Sequence, residues 1–303
     1  MSPAMPLTPG AAAVAARGWL SAHKWLILRR LSQLFFLLLF LAGPWMGIWL
    51  VEGTLASSLT LEFLPLTDPY VLLQSLAAGH WPVMTAVLGA FIVLAAYAVV
   101  GGRVYCSWVC PINPVTDAAH WLHARLGLPK GWQPRPHTRL WILAATLVVS
   151  AVTSTIAWEA VNPITLLHRG LLYGLGFAWA VVLAIFLFDL FVSRRGWCGH
   201  LCPVGAFYGL VGKASLLRVS AVERAACNDC MDCFAICPEP QVITPALRAS
   251  GAEQTPIILS PDCTNCGRCI DVCSEQVYRF THRFDKEVAP VRTEAPARLE
   301  KAA

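Results

Sequence analysis

The sequence predicts an α-helical membrane protein with four transmembrane helices, arranged as two repeated hairpins, and a small C-terminal domain of the α+β class. Three observations support this fold class. The chain of 303 residues is 56% hydrophobic and only 14% charged, with a mean hydropathy of +0.57. Its apolar residues are gathered in four blocks, and eight of its 12 cysteines lie in a polar region beyond residue 219. This composition excludes an ordinary soluble domain, in which about a quarter of the residues are charged.

The four apolar blocks cover residues 31–51, 83–100, 140–158 and 171–192. Each approaches the roughly 20 residues that a helix needs to cross a hydrocarbon core about 30 Å thick. None alternates as a strand does, and a lone segment in lipid must satisfy its backbone hydrogen bonds internally. We therefore predict four transmembrane helices.

Basic residues predict the orientation of these helices, because Lys and Arg near a span are retained on the cytoplasmic side. Four precede the first block, none follows it, five follow the second, one follows the third, and Arg194 and Arg195 follow the fourth. This alternation predicts that both termini are cytoplasmic and accounts for most of the net charge of +5. Arg29 and Arg30 also fit a twin-arginine export signal, but no small-residue cleavage site follows them and three more blocks do.

Four cysteines form two copies of a Cys-x3-Cys-Pro motif. Cys106 and Cys110 follow the second block, and Cys198 and Cys202 stand 92 positions later in each case, after the fourth. The chain therefore reads as two copies of one unit, and such repeats commonly pack about a pseudo-two-fold axis. Three interpretations of the four thiols stay open: a metal or iron–sulfur centre between the copies, a reversible thiol–disulfide pair, or a packing role at helix ends.

The other eight cysteines form two runs with the spacing Cys-x2-Cys-x2-Cys-x3-Cys, beginning at Cys227 and at Cys263. This is the spacing of bacterial ferredoxins, in which the fourth cysteine of each run serves the other [4Fe-4S] cluster. The predicted ligands are Cys227, Cys230, Cys233 and Cys273 for cluster 1, and Cys263, Cys266, Cys269 and Cys237 for cluster 2. Zinc needs only four ligands and would not produce two identical runs, and disulfides are not expected in a reducing cytoplasm.

These features divide the chain into four parts. We place a cytoplasmic N-terminal segment at residues 1–30 and the four-helix membrane domain with both Cys-x3-Cys-Pro motifs at 31–215. The ferredoxin domain with two [4Fe-4S] clusters follows at 216–285, and a disordered tail at 286–303.

Two iron–sulfur clusters joined to a membrane bundle suggest electron exchange with quinol, which releases two electrons and two protons when it is oxidised. The candidate proton acceptors on the outer side are Glu52, Glu62, Asp68, His80, Glu159 and His168, and the acid within a block is Asp189. Intramembrane acids are more often functional than loop acids, although Asp189 also has Arg194 and Arg195 as possible ion-pair partners. The catalytic candidates are Cys106, Cys110, Cys198, Cys202 and Asp189. The two histidines also suggest haem ligands, but the sequence has no Cys-x-x-Cys-His attachment motif.

The chain resembles the NapH/MauN family in residues 23–31, 65–69, 106–114, 197–206 and 227–240, which match in order and spacing. The resemblance implies a multi-pass component of a quinol dehydrogenase in the bacterial inner membrane. It also implies partners in nitrate respiration: the periplasmic iron–sulfur protein NapG, the tetrahaem cytochrome NapC, and indirectly the reductase NapA and cytochrome NapB. MauN of methylamine oxidation is the alternative assignment, and a non-catalytic assembly or anchoring role is the rival function.

The predicted topology raises one difficulty. Cytoplasmic clusters and a periplasmic acceptor are separated by about 30 Å of hydrocarbon. Electrons therefore need the quinone pool, a partner, or a redox centre at the four Cys-x3-Cys-Pro thiols to cross it.

Overall fold

The computed structural model describes residues 9–129, 131–132, 134–135, 137–174, 176–248 and 255–285, and the predicted disordered tail at 286–303 lies outside them. The chain forms two compact units. The bundle unit contains Ile27–Ser215 and Pro261–Cys266. The ferredoxin unit contains the described residues up to Leu26, those within Leu216–Ser260, and those from Gly267 onward.

The helices are α1 (Ala11–Arg17), α2 (Trp19–Ala22), α3 (Lys24–Met46), α4 (Pro69–Ala77), α5 (Met84–Val100), α6 (Val104–Trp108), α7 (Ile112–Arg125), α8 (Thr138–Thr153), α9 (Pro163–Tyr173), α10 (Gly176–Leu187), α11 (Pro203–Gly212), α12 (Asp232–Ile236), α13 (Ile243–Arg248) and α14 (Arg268–Val272). The strands are β1 (Val51–Gly53), β2 (Ser57–Thr60), β3 (Leu64–Thr67), β4 (Leu217–Ala221) and β5 (Tyr278–His282). Short π-helical turns occupy Phe188–Val192 and Trp197–Leu201.

The apolar blocks form helices, but most are shorter than the sequence predicts. Within the described residues only α3, with 23 residues, is long and apolar enough to cross a membrane by length and composition. Helix α5 has 17 residues and α8 has 16. The predicted fourth span at 171–192 is not continuous: α9 ends at Tyr173 and α10 begins at Gly176, with positive φ at Gly174 and Gly176. Glycine adopts these angles without steric cost, so it interrupts a block that hydropathy alone reads as one helix.

The connection between the first two blocks folds back onto the bundle. Strands β1, β2 and β3 form an antiparallel sheet, and β3 packs against α5. A side chain cannot be accommodated at Gly89 of α5, because its Cβ would lie 2.9 Å from the Pro65 carbonyl oxygen. This segment, predicted as an outer loop, therefore contacts the second apolar helix through β3.

The same capped turn occurs in both repeats. Asp68 caps α4 by accepting a hydrogen bond from the Tyr70 amide at 2.9 Å, and Asn162 caps α9 by accepting one from the Ile164 amide at 3.1 Å. A proline occupies the first helical position in each case, where its missing N–H costs nothing. The repeat that the cysteine spacing indicates thus also includes the short helices α4 and α9, which precede α5 and α10.

The ferredoxin unit is built on the antiparallel pair β4–β5, in which Val219 faces Phe280. The N-terminal residues belong to it: the Gly10 amide donates to the Asp232 carboxylate at 2.8 Å, and the Trp25 and Leu26 amides donate to the Asp271 carboxylate at 3.1 and 2.8 Å. The predicted separate segment at 1–30 is therefore, over its described residues up to Leu26, part of the same unit as the ferredoxin runs.

Candidate metal centres

All four thiols of the Cys-x3-Cys-Pro motifs line one cavity in the bundle unit. Cys106 lies in α6 and Cys198 in the π-helical turn Trp197–Leu201. Cys110 stands two residues before α7, and Cys202 stands directly before α11. Helix ends of both repeats therefore converge on the cavity. The remaining lining is apolar or aromatic: Tyr105, Ile112, Trp158, Pro163, Ile164, Trp197, Val204 and Gly205.

The electrostatics of the thiols reflect this burial. Burial raises the pKa of all four, that of Cys202 to about 12. The pKa of Cys198 is raised further by Cys110, Cys202 and Cys106, so these groups lie close enough to interact as charges. The Arg103 guanidinium acts in the opposite direction on Cys106, whose pKa it lowers through its charge and a hydrogen bond.

The four predicted ligands of cluster 1 also line one cavity, in the ferredoxin unit. They come from the start of the first run and from Cys273 at the end of α14. The Val277 amide donates to the Cys273 sulfur at 3.4 Å, and the Tyr278 hydroxyl donates to the Cys233 sulfur at 3.6 Å. Hydrogen bonds to sulfur are a means by which proteins tune iron–sulfur potentials.

Both cavities fit an iron–sulfur cluster in ligand type and ligand number. Among the described residues no three His, Cys, Asp or Glu side chains converge tightly enough to bind a single metal ion. A cluster carries its thiolates on several irons, so it needs no such convergence. When bound, a [4Fe-4S] cluster accepts or releases one electron.

The predicted ligands of cluster 2 are divided between the two units. Cys263 and Cys266 belong to the bundle unit, and Cys237 and Cys269 to the ferredoxin unit. The four-thiol set of cluster 2 therefore stays a prediction from spacing.

Helix α6 anchors the loop that carries Cys263 and Cys266. The Arg103 guanidinium donates to the Asp262 carbonyl at 2.8 Å, the Ser107 hydroxyl to the Thr264 carbonyl at 2.7 Å, and the Trp108 indole to the Asn265 carbonyl at 3.1 Å. Arg139 of α8 forms an ion pair with the Asp262 carboxylate. The sequence marks Arg103 only as a basic residue repeated at Arg195, and these contacts were not foreseen.

The acidic candidates have distinct surroundings. Asp189 is fully buried and accepts a hydrogen bond from the Trp197 amide at 2.9 Å. Glu159 accepts hydrogen bonds from the Asn162 amide group at 2.7 Å and the Thr165 hydroxyl at 2.8 Å. Glu52 and Glu62 are exposed.

The surroundings of Asp68 alter the ionisation of its carboxyl group. Its carboxylate accepts a hydrogen bond from the Tyr208 hydroxyl at 3.1 Å in addition to that from the Tyr70 amide. Burial raises the pKa of Asp68 to about 6, and the two hydrogen bonds limit the rise. This contact was not foreseen either, because Tyr208 follows the fourth block and was predicted on the opposite side of the membrane.

The two histidine candidates also differ in exposure. His80 is exposed and its ring contacts the Ser154 carbonyl at 3.0 Å. His168 is buried in α9, and its ring lies edge-on to Phe40 with centroids 6.1 Å apart. The haem interpretation gains no contact from this arrangement.

Two family models match the chain. A model described as a 4Fe-4S binding domain matches residues 83–129 and 175–220, which contain the two Cys-x3-Cys-Pro motifs. A model described as a 4Fe-4S dicluster domain matches residues 226–288. No solved structure matches the chain.

Curated relatives match over most of their length. The methylamine utilization ferredoxin-type protein MauN of Methylorubrum extorquens is 55% identical over 89% of this chain and 93% of its own. MauN of Paracoccus denitrificans is 56% identical over 90% and 95%. The ferredoxin-type protein NapH of Escherichia coli is 49% identical over 91% and 95%.

Cysteine-lined cavities in both units, together with the dicluster region, define an iron–sulfur electron-transfer protein of the ferredoxin type. Near-complete matches at 46–56% identity then identify the family: the chain belongs to the NapH/MauN family.

Proposed function

We propose that this protein is a multi-pass membrane component that oxidises quinol and passes the electrons through iron–sulfur clusters to a partner redox protein. The observation that carries the proposal is that four cysteine thiols line a single cavity in each of the two units. Cluster 1 is held by Cys227, Cys230, Cys233 and Cys273. The run spacing assigns cluster 2 to Cys263, Cys266, Cys269 and Cys237.

A third centre occupies the bundle cavity in this proposal, held by Cys106, Cys110, Cys198 and Cys202. The convergence of two repeats on one cavity favours a four-thiolate centre over two independent thiol pairs. The 4Fe-4S description of the family model over residues 83–129 and 175–220 supports the same reading.

We keep the membrane arrangement that the charge pattern predicts: the apolar blocks at 31–51, 83–100, 140–158 and 171–192 cross the inner membrane, with both termini in the cytoplasm. We also keep the division of the chain into an N-terminal segment at 1–30, a membrane domain at 31–215, a ferredoxin domain at 216–285 and a tail at 286–303. The Asp68–Tyr208 hydrogen bond supports a bundle in which the connection after α3 enters from one face and α11 from the other. Broken helices of this kind meet near the midplane in other membrane folds.

For quinol oxidation the bundle residues must also accept protons. Of the candidate acids, Asp189, Asp68 and Glu159 are buried or accept hydrogen bonds from side chains or amides, and we propose them as the groups from which proton acceptors are drawn. As partners we propose those that the resemblance to NapH implies: NapG and NapC, and through NapB the nitrate reductase NapA.

The sequence identities to MauN proteins support a role in methylamine oxidation at least as strongly as those to NapH proteins support one in nitrate respiration. Two MauN proteins are 55% and 56% identical to the chain, whereas the NapH proteins are 49% and 46% identical. Transfer of electrons in methylamine oxidation is therefore the alternative. Deleting the gene and measuring growth on methylamine and with nitrate separates the two pathways.

Iron analysis tests the centres. Anaerobically purified protein should contain about twelve iron atoms and as many acid-labile sulfides per chain, for three cubane clusters. Cys202→Ser should lower this to about eight and leave the ferredoxin signals in electron paramagnetic resonance (EPR) intact. About eight in the wild type would remove the third centre from the proposal.

Quinol oxidation is tested in lipid nanodiscs that contain ubiquinol-10. Mixing should change the EPR signals of the clusters, with the purified partner protein as acceptor. No change with the partner present would contradict the proposal and favour the assembly or anchoring role. That rival predicts that depleting the protein after the partner reductase has matured leaves quinol-dependent reduction unchanged.

A further inference from the structure

Trp158 differs from the other described tryptophans in its burial. Tryptophans near the ends of spans commonly anchor a protein at the membrane interface. Trp81 and Trp141 are 92% and 75% exposed and suit that role, whereas Trp158 is 4% exposed. It stands at the end of the third apolar block and lines the four-thiol cavity of the bundle unit. Interfacial anchoring therefore does not account for Trp158.

The indole N–H of Trp158 is a buried donor that has no acceptor among the described residues. A buried donor without an acceptor costs free energy, so native structures satisfy nearly all such groups. The Thr116 hydroxyl, which lies 3.8 Å from the Cys198 sulfur, already donates its single proton to the Asn113 carbonyl at 3.1 Å. The Trp158 N–H is thus a donor at the cavity wall that still requires an acceptor.

Contacts with α4, α8 and a second tryptophan hold Trp158 in position. Its backbone amide donates to the side-chain oxygen of Gln74, which is fully buried in α4, at 3.0 Å. The Ser150 hydroxyl of α8 donates to the same oxygen at 3.4 Å and accepts from the Ala157 amide at 3.2 Å. The indole ring stacks on that of Trp197, which also lines the cavity, with centroids 6.5 Å apart. These contacts fix both the backbone and the ring of Trp158 at the cavity wall.

We propose that the Trp158 indole N–H donates a hydrogen bond to a sulfur of the third centre and thereby raises the reduction potential of that centre. The inference rests on the proposed function, because it requires a centre at Cys106, Cys110, Cys198 and Cys202. Reduction adds one electron to the centre and makes its sulfurs stronger acceptors. The hydrogen bond therefore stabilises the reduced state more than the oxidised state.

Redox titration of the full-length protein in nanodiscs, followed by EPR, tests this role. The signal of the third centre is identified by its loss in Cys202→Ser. Trp158→Phe should shift the midpoint potential of the third centre to more negative values and leave that of cluster 1 unchanged. Trp141→Phe, which alters an exposed ring, is the matched control and should leave both potentials unchanged.

A shape-preserving replacement separates the hydrogen bond from packing. Benzothienylalanine has the two fused rings of tryptophan, with a sulfur atom in place of the N–H. Its incorporation at position 158 should also shift the potential of the third centre to more negative values. An unchanged potential in this variant, with about twelve irons per chain, would overturn the inference and leave the third centre in place. A wild type with about eight irons would overturn both.

A measurement that keeps the Trp158 side chain decides the question if the variants at position 158 lose the third centre. Pulsed EPR of protein labelled with nitrogen-15 in the tryptophan indole should detect a coupling between the third centre and the label, because a hydrogen bond transmits spin density to the donor nitrogen. The coupling should persist in Trp197→Phe, which removes the other tryptophan of the cavity lining. Absence of the coupling in the wild type, or its loss in Trp197→Phe, would overturn the assignment of Trp158 as the donor.

Discussion

The hydrogen bond between Tyr208 and Asp68 makes a quantitative prediction. Burial raises the pKa of Asp68 to about 6, and the Tyr208 hydroxyl opposes that rise by stabilising the carboxylate. Tyr208→Phe removes the hydroxyl and keeps the ring, which stacks on Tyr105 with centroids 5.1 Å apart. The substitution should therefore raise the pKa of Asp68 further.

The size of this shift follows from the strength of the bond. A hydrogen bond to a charged group contributes about 1.5–3 kcal/mol, and the partial exposure of Asp68 argues for the lower end. Since one pKa unit corresponds to about 1.4 kcal/mol, the pKa of Asp68 should rise by about one unit, to about 7.

Infrared difference spectroscopy across a pH titration measures this pKa directly. The carbonyl band of the protonated carboxyl should disappear with an apparent pKa near 6 in the wild type, be absent in Asp68→Asn, and persist to higher pH in Tyr208→Phe. Tyr173→Phe, which alters an exposed tyrosine, is the control. An unchanged midpoint in Tyr208→Phe would refute the assignment of the hydroxyl as the group that stabilises the carboxylate.

Three further predictions concern packing, potential and the N-terminal segment. Gly102→Ala should destabilise the bundle by about 3 kcal/mol or more, because the new Cβ would lie 1.9 Å from the Tyr208 carbonyl oxygen. Gly209→Ala should be tolerated, because its new Cβ would have its nearest contact at 3.7 Å. Thermal unfolding of the two variants compares them. Tyr278→Phe removes the hydroxyl donor to the Cys233 sulfur and should make the midpoint potential of cluster 1 more negative in an EPR-monitored redox titration. An unaltered potential would show that this contact does not tune the cluster. Asp271→Ala removes the acceptor for the Trp25 and Leu26 amides of α3, at a cost of about 1–2 kcal/mol. Tryptic cleavage near residue 24 should therefore be faster in this variant. A cleavage rate equal to that of the wild type would count against the contact.

The ferredoxin region could be predicted from sequence because cluster ligation fixes the spacing of cysteines along the chain. The dicluster match over residues 226–288 confirms that region, and the family assignment is confirmed by relatives that cover about nine-tenths of the chain. The repeat was also visible in the spacing between Cys106 and Cys198, because duplication preserves distances in sequence.

Helix limits and distant contacts could not be predicted in the same way. Hydropathy sums side-chain polarity over a window, so the backbone break at Gly174 inside an apolar block leaves no signal in it. The Asp68–Tyr208 contact joins residues 140 positions apart, and each of them is unremarkable in its own segment. The contacts of Arg103 depend on the path of the loop before Cys263, which local sequence does not determine.

The N-terminal residues impose an order on synthesis. Gly10 and Trp25 reach their partners Asp232 and Asp271 across 222 and 246 positions. At roughly 5–20 residues per second, Gly10 and Trp25 wait about 10 to 50 s after their own synthesis for the residues that bind them, and most of the bundle unit is made in between. The ferredoxin unit therefore closes last, and cluster assembly must take place on a chain whose apolar helices have already been produced.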